Sequence, residues 1–240
     1  MTTSPTVSSP RERARAQLTA DIREVARRQL AQDGAAALSM RSIARDVGLT
    51  SASALYRYFP GRDAILTALI VDAYNALGDA AEKAAAAAAG AAVSGRWMAI
   101  CHAVRDWALT HSQEYTLIFG APVPGYAAPA DTIAPAGRVP ALLTALLTEL
   151  AADGDCELLT ARPVSRTLHR SLAPVRLNTP AAIPDALLIR GLMAWTYLFG
   201  AISFEVFGHR HDIITEPAAL FDYEMHTIAT ELGVIGRAET

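Results

Sequence analysis

The stretch from Leu38 to Leu66, LSMRSIARDVGLTSASALYRYFPGRDAIL, restricts the fold more than any other part of the chain. Its apolar residues fall at helical spacing in two short runs, Ile43, Ala44 and Val47 before Gly48, and Leu55 and Phe59 after it. Ser39 stands where the first run needs an N-cap, and Thr50, Ser51 or Ser53 can cap the second. Glycine at position 48 supplies a turn with positive φ at little steric cost. Pro60-Gly61 breaks the second run. Arg62-Asp63 then opens a longer helix with Ile65, Leu66, Leu69, Ile70, Ala73, Leu77 and Ala80 on one face, reaching as far as Gly90. Two short helices around a tight turn, followed by a long one, predict a helix-turn-helix.

The rest of the chain carries the same helical period. Thr19 to Ala31 places Ile22, Val25, Ala26 and Leu30 on one face, with Gly34 as its stop. Ahead of it, Met1 to Pro10 is rich in Ser, Thr and Pro and is expected to be disordered. Arg11, Arg13 and Arg15 extend that arm, which could follow a DNA backbone or enter a minor groove. Further helices are expected at Ser94–His111, Gln113–Phe119, Arg138–Ala152 (closed by Asp153-Gly154-Asp155), Pro163–Leu177, Pro184–Gly208 and Glu216–Leu232. Gly120–Pro135, with four prolines, is expected to be a long loop, functional or mobile. No strand pattern appears, so the expected fold is all-α. Its expected parts are a flexible Arg-containing arm over 1–18, a three-helix helix-turn-helix domain over 19–66, and a ligand-binding and dimerisation domain over 67–240.

Composition narrows the function. The chain is 52% hydrophobic and 19% charged, which is a globular balance. Its most apolar segment, Ala186 to Phe207, contains Arg190 and Glu205 and is expected to be a buried or interface helix, so no membrane is expected. The N-terminus lacks an apolar signal segment, and Cys101 and Cys156 are too few for a disulfide framework. Both point to the cytoplasm. The net charge of −3 conceals a polarity: residues 1–62 hold ten arginines against five acids, a net of +5, and residues 63–240 carry −8. A basic head on an acidic body suits a nucleic-acid reader. Lys83 is the single lysine, so the arginine preference also reflects codon usage. His209 and His211 lie two apart with no completing Cys or acidic ligand, so no metal site is expected. There is no Gly-rich phosphate loop and no nucleophile–base pair. Neither a cofactor nor catalysis is expected.

The outer face of the second short helix carries Thr50, Ser51, Ser53, Tyr56 and Arg57, hydroxyls and a guanidinium suited to base edges and phosphates. Arg41 and Arg45 on the preceding helix can hold the flanking backbone. Arg62, with the first amides of the next helix, makes a phosphate site. Double-stranded DNA is the expected partner, and a helical protein-interaction adaptor with no specific DNA reading is the alternative.

The order Ile43-Ala44-Arg45-Asp46-Val47-Gly48, then Leu55-Tyr56-Arg57-Tyr58-Phe59, then Arg62 and Leu66, resembles the DNA-binding domain of TetR-family repressors over residues 19–66. The resemblance implies that Tyr58 and Arg62 touch phosphates and that Thr50 to Ala54 read bases. It also implies a homodimer, a near-palindromic operator and a small-molecule effector. Two departures stand in this chain. Ala52-Ser53-Ala54 occupies the place of a usual glycine or proline, and the turn-to-Tyr56 spacing is one residue longer. Trp195 to His209, together with Phe119 to Tyr126, is similar to the subgroup named for a Trp-His-Gly signature, with Phe199 in the histidine position.

For the body, Leu187, Gly191, Ala194 and Ala201 are small or apolar residues on the long apolar helix and are expected at the dimer interface. Trp97, Cys101, Trp107, His111, Tyr115, Phe119, Trp195 and Phe199 are expected to line an apolar effector pocket.

Overall fold

The structure is a computed structural model that describes residues 9–153 and 163–233. The expected disorder of residues 1–8, Cys156 and the Gly154-Asp155 stop lie outside the described residues. In chain order the helices are α1 (Pro10–Ala37), α2 (Met40–Asp46), α3 (Ala52–Leu55), α4 (Arg62–Ala87), α5 (Val93–Thr110) and α6 (Ser112–Phe119). After a 3-10 turn at Ala130–Thr132 come α7 (Ile133–Ala136), α8 (Arg138–Asp153), α9 (Arg166–Ser171), α10 (Ala173–Arg176), α11 (Asp185–Val206) and α12 (Pro217–Leu232). No strand occurs among the described residues. The chain divides into two compact units, residues 1–73 with 113–133, and residues 74–112 with 134–240. The division falls within α4, and the proline-rich segment belongs with the head, unlike the boundaries expected after residues 18 and 66.

The first unit begins earlier than the arm reading allowed. The Ser9 hydroxyl accepts from the Glu12 amide and the Glu12 carboxylate accepts from the Ser9 amide at 2.7 Å, a capping box with Pro10 in the first turn. The bond from the Ser9 amide, followed by the Ser9 hydroxyl beside it, holds the Glu12 carboxyl below its usual value. Residues 10–18 are therefore helix, and α1 runs for 28 residues. Gly34, at φ 75°, kinks it where the sequence places a stop. Ile22, Val25, Ala26 and Leu30 of α1 bury against Leu38, Ile43, Ala44, Leu55, Phe59, Ile65, Leu66 and Leu69. Each large aliphatic chain so buried contributes about 1.5–3 kcal/mol. The expected loop is pinned to this core: Val123 and Tyr126 pack on it, and the Tyr126 hydroxyl meets that of Thr67 at 2.9 Å.

In the second unit α11 packs on α12, α8 and α5, and α5 also contacts α8 and α12. Gly191 is what lets α8 close on α11, since a Cβ there would lie 2.3 Å from Leu147 Cδ1. Arg105, nearly buried, forms a two-pronged pair with Glu205, its Nε donating at 2.8 Å, and its guanidinium lies 5.3 Å over the Phe221 ring. Arg138, at the start of α8, donates to Glu82 at 2.8 Å and to the Asn75 carbonyl at 2.9 Å, and pairs with Asp79. His169 and Arg176 both hold Asp185 at the start of α11.

Among the described residues two helices, α4 and α11, are long and apolar enough by length and composition to cross a membrane, or three if α7 and α8 count as one bent span. This differs from the expectation that charge rules such a segment out, because Arg190 and Glu205 are few enough within α11 for it to qualify. What α11 does with its apolar residues here is bury Leu187, Leu188, Ala194, Leu198, Phe199, Ala201 and Ile202 inside the second unit.

Candidate nucleic-acid interface

α2 starts on Ser39, whose hydroxyl accepts from the Ser42 amide, and ends at Gly48 with φ 81°. The buried Gln29 amide of α1 donates to the Ser42 hydroxyl at 2.9 Å and to Asp46 at 2.7 Å, bracing α2 from behind. That bond, more than the one from Arg45, holds the Asp46 carboxyl below its usual value. Sequence reading missed Gln29, since a glutamine on a helix gives no sign of which neighbour it meets.

α3 is a single turn. The Ser51 side chain does not cap it but bonds the Ser53 hydroxyl at 2.7 Å, which holds the two hydroxyls together. Leu55 is buried beneath them, while Arg41, Thr50, Ser51, Ser53, Tyr56 and Arg57 are exposed. Tyr58 is half-buried and packs on the head's core. Arg15 lies 5.8 Å over its ring and donates to the Arg57 carbonyl at 3.4 Å. Arg15 was legible only as part of a charged arm.

Arg62, expected on a phosphate, has a role within the head as well. Its Nε donates to the Leu38 carbonyl at 3.1 Å and its Nη2 to the Ala35 carbonyl at 2.7 Å. Both acceptors lie at the C-terminal end of α1, where carbonyls run short of helical partners, although Ala35 also accepts from the Leu38 amide at 3.4 Å. Nε and Nη2 of the guanidinium therefore brace the α1–α2 turn from within the head.

The expected pocket residues do not all share one unit. Tyr115 is fully buried and tilted against Phe119 at 5.0 Å, both in the first unit. In the second unit the Trp97 indole donates to the Met225 carbonyl at 3.0 Å. Beside it, Leu143, Leu147, Leu150, Gly191 and Leu232 leave a void of only about 10 Å³. Trp97 is thus a filled core position. Cys101 is buried completely, which pushes its thiol well up. The Trp107 and His111 rings stack at 5.1 Å, and His111 Nδ1 lies 3.0 Å from the Trp107 carbonyl. A carbonyl can only accept, so Nδ1 is the donor in that contact. The buried Trp107 indole N–H has no hydrogen-bond partner among the described residues. Trp195 is half-buried against Phe199, with ring centroids 4.4 Å apart.

The expected interface residues are corrected too. Leu187, Ala194 and Ala201 are buried inside the protomer and Gly191 is closed by Leu147, so they form the inner face of α11. Its outer face exposes Leu192, Met193, Tyr197, Phe204 and Phe207, and α12 adds Tyr223.

An all-helical chain with an outward hydroxyl and guanidinium face on a helix-turn-helix belongs to the class of DNA-binding transcriptional regulators. Comparison with known proteins gives the particular kind. Residues 22–69 match the model for bacterial regulatory proteins of the tetR family, and residues 97–228 match the tetracyclin repressor-like C-terminal domain. HTH-type transcriptional regulators of Mycobacterium tuberculosis and Mycobacterium bovis are each 38% identical over 224 residues, 92% of this chain and 95% of theirs. The crystal structure of regulatory protein SCO4313 aligns with TM-score 0.73 and 37% identity over 92% of this chain and all of that one. A protein of unknown function from Rhodococcus sp. RHA1, 21% identical over 96% of this chain and 97% of its own, shares the fold with TM-score 0.62. The chain belongs to the tetR family of transcriptional regulators.

Proposed function

We propose that two copies of this chain pair through the outer face of α11 and bind a near-palindromic operator in the cytoplasm, acting as a repressor that a small, largely apolar effector releases. The observation that carries the reading is the apolar stripe Leu192, Met193, Tyr197 and Phe204. These residues recur at helical spacing and face away from the protomer's own core. A homodimer covers such a stripe with its own copy and sets two heads about one helical turn of DNA apart. Arg41, Thr50, Ser51, Ser53, Tyr56 and Arg57 contact the duplex, with Tyr58 at the edge of that surface. For an effector, the supporting observation is Trp107: a buried N–H without a partner among the described residues costs about 1–3 kcal/mol, and a ligand acceptor would relieve it. The rings Trp107, His111, Trp195 and Phe199, on packed helices α5 and α11, supply apolar contact.

Selection of binding sites from a random duplex pool, followed by footprinting, tests the reading. The expected result is an inverted repeat protected by a dimer, with affinity falling steeply with salt. A monomer in sedimentation at micromolar concentration, or an asymmetric footprint, would contradict it. An adaptor would enrich no sequence.

A further inference from the structure

We infer that the N-terminal turns of α1 form a second DNA-binding element, with Arg11 on a duplex phosphate beside the segment that α3 enters and Arg15 as the residue that positions it. The inference rests on the DNA-facing orientation of α3 proposed above.

Leu18 and Ile22 pack on the head's core, so their direction defines the inner face of α1. Four residues along a helix return to nearly the same face, so Arg11 lies about 40° around the axis from Arg15 and within the sector spanned by Leu18 and Ile22. The face of α1 that packs on the helix-turn-helix therefore continues past it as Arg15 and then Arg11. Arg15 closes the join: it donates to the Arg57 carbonyl and lies over the Tyr58 ring, both at the end of the DNA-facing element. Arg11 stands about 6 Å further along the axis. It is exposed, and its side chain has no ion pair or hydrogen bond among the described residues.

One feature makes this an ordered surface and not a charged tail. The Ser9–Glu12 capping box starts the helix at Pro10, which fixes the backbone under Arg11. The partner follows from charge. A guanidinium held rigidly beside exposed hydroxyls and a second guanidinium, Arg57, fits the phosphate backbone, which offers acceptors at regular spacing on either side of the groove. The element also lies outside residues 22–69, the part of the chain that matches the family's DNA-binding model.

The test uses the full-length protein and the duplex selected from the random pool. Arg11→Ala is expected to weaken binding to specific and random duplexes alike. It should lower the slope of log affinity against log salt by about one per protomer, so that affinity loss between 50 and 200 mM salt is roughly threefold smaller per protomer. Arg11→Lys restores the slope, because the charge is kept. Arg28→Ala, which removes the same charge about 100° around α1 and about 25 Å further along its axis, leaves the slope unchanged, and thermal melting confirms that each variant is folded. Arg15→Ala is expected to weaken binding through lost positioning. If wild type binds the selected duplex and Arg11→Ala matches it in affinity and slope, the inference is overturned while the DNA-binding reading stands. If wild type selects no duplex, that reading fails first.

Discussion

At the scale of single residues, the DNA-binding head depends on side chains that brace it from within. Arg62 satisfies the Ala35 and Leu38 carbonyls at the point where α1 kinks through Gly34 and the chain turns into α2. Removing the guanidinium leaves the Leu38 carbonyl to find water and the Ala35 carbonyl with only its 3.4 Å bond from the Leu38 amide. Arg62→Ala is therefore expected to lower head stability by about 1–3 kcal/mol. Arg62→Lys would not restore it, because an ammonium cannot present two donors in a fixed fork. Thermal melting checks this, and the salt slope of DNA binding separates the roles: a brace leaves the slope unchanged, whereas a phosphate contact lowers it by about one. Gln29 works from the other side, holding Ser42 and Asp46. Neither role was legible, for a shared reason. Arginine and glutamine on a helix read as solvent-facing, and only the folded chain shows which carbonyl or hydroxyl comes within reach. Thr50, Ser51, Ser53, Tyr56 and Arg57 were legible because residues that alternate with a buried Leu55 on one turn must point outward.

At the scale of elements, almost every helix was readable from its 3.6-residue period, since each must bury one face to be stable. The exceptions are instructive. α1 begins two turns early because a capping box, and not apolar periodicity, starts it. The loop after α6 is pinned by Val123 and Tyr126, whose partners lie some sixty residues earlier in sequence and leave no local trace. Polar ties then set how the body helices meet. Arg105 and Glu205 join α5 to α11 in a largely buried pair. Glu205→Ala strands the guanidinium and is expected to cost about 3 kcal/mol, with Glu205→Gln costing less, read from denaturant midpoints. More exposed ties govern acid behaviour. Arg138 holds Glu82, Arg96 holds Glu149, and His169 followed by Arg176 holds Asp185, each carboxyl below its ordinary value of 4.5, 4.5 or 3.8. A depressed carboxyl binds its proton less tightly folded than unfolded. Its contribution is therefore full above the unfolded value and lost as pH falls through the folded one. Melting temperature is expected to hold down to about pH 4.5 and to fall below it, and Arg138→Gln should flatten that fall.

At the scale of the whole molecule, the question is which face of α11 another copy would meet. Composition could not decide it. Leu187, Gly191, Ala194 and Ala201 are small and apolar because α8, α12 and α5 must approach α11 closely, and a close-packed inner face reads the same as a close-packed interface. The larger residues opposite, Met193 at 64% exposure and Phe204 at 51%, are what remain for a partner once the protomer's own core is filled. Two substitutions separate the faces. Leu187→Ala removes a buried side chain and is expected to lower protomer stability by about 2–5 kcal/mol. Met193→Glu adds a charge where the lone protomer is already solvated, so it should leave the protomer folded by circular dichroism. In a dimer it would place like charges in an apolar seam. Sedimentation should then show a monomer, and binding to the two-half-site duplex should fall by about 100-fold or more toward that of one half-site, because the second head no longer benefits from being tethered to the first. If Met193→Glu stays dimeric and binds as wild type does, the outer face of α11 is not the interface. Another exposed surface would then have to hold the two heads in register.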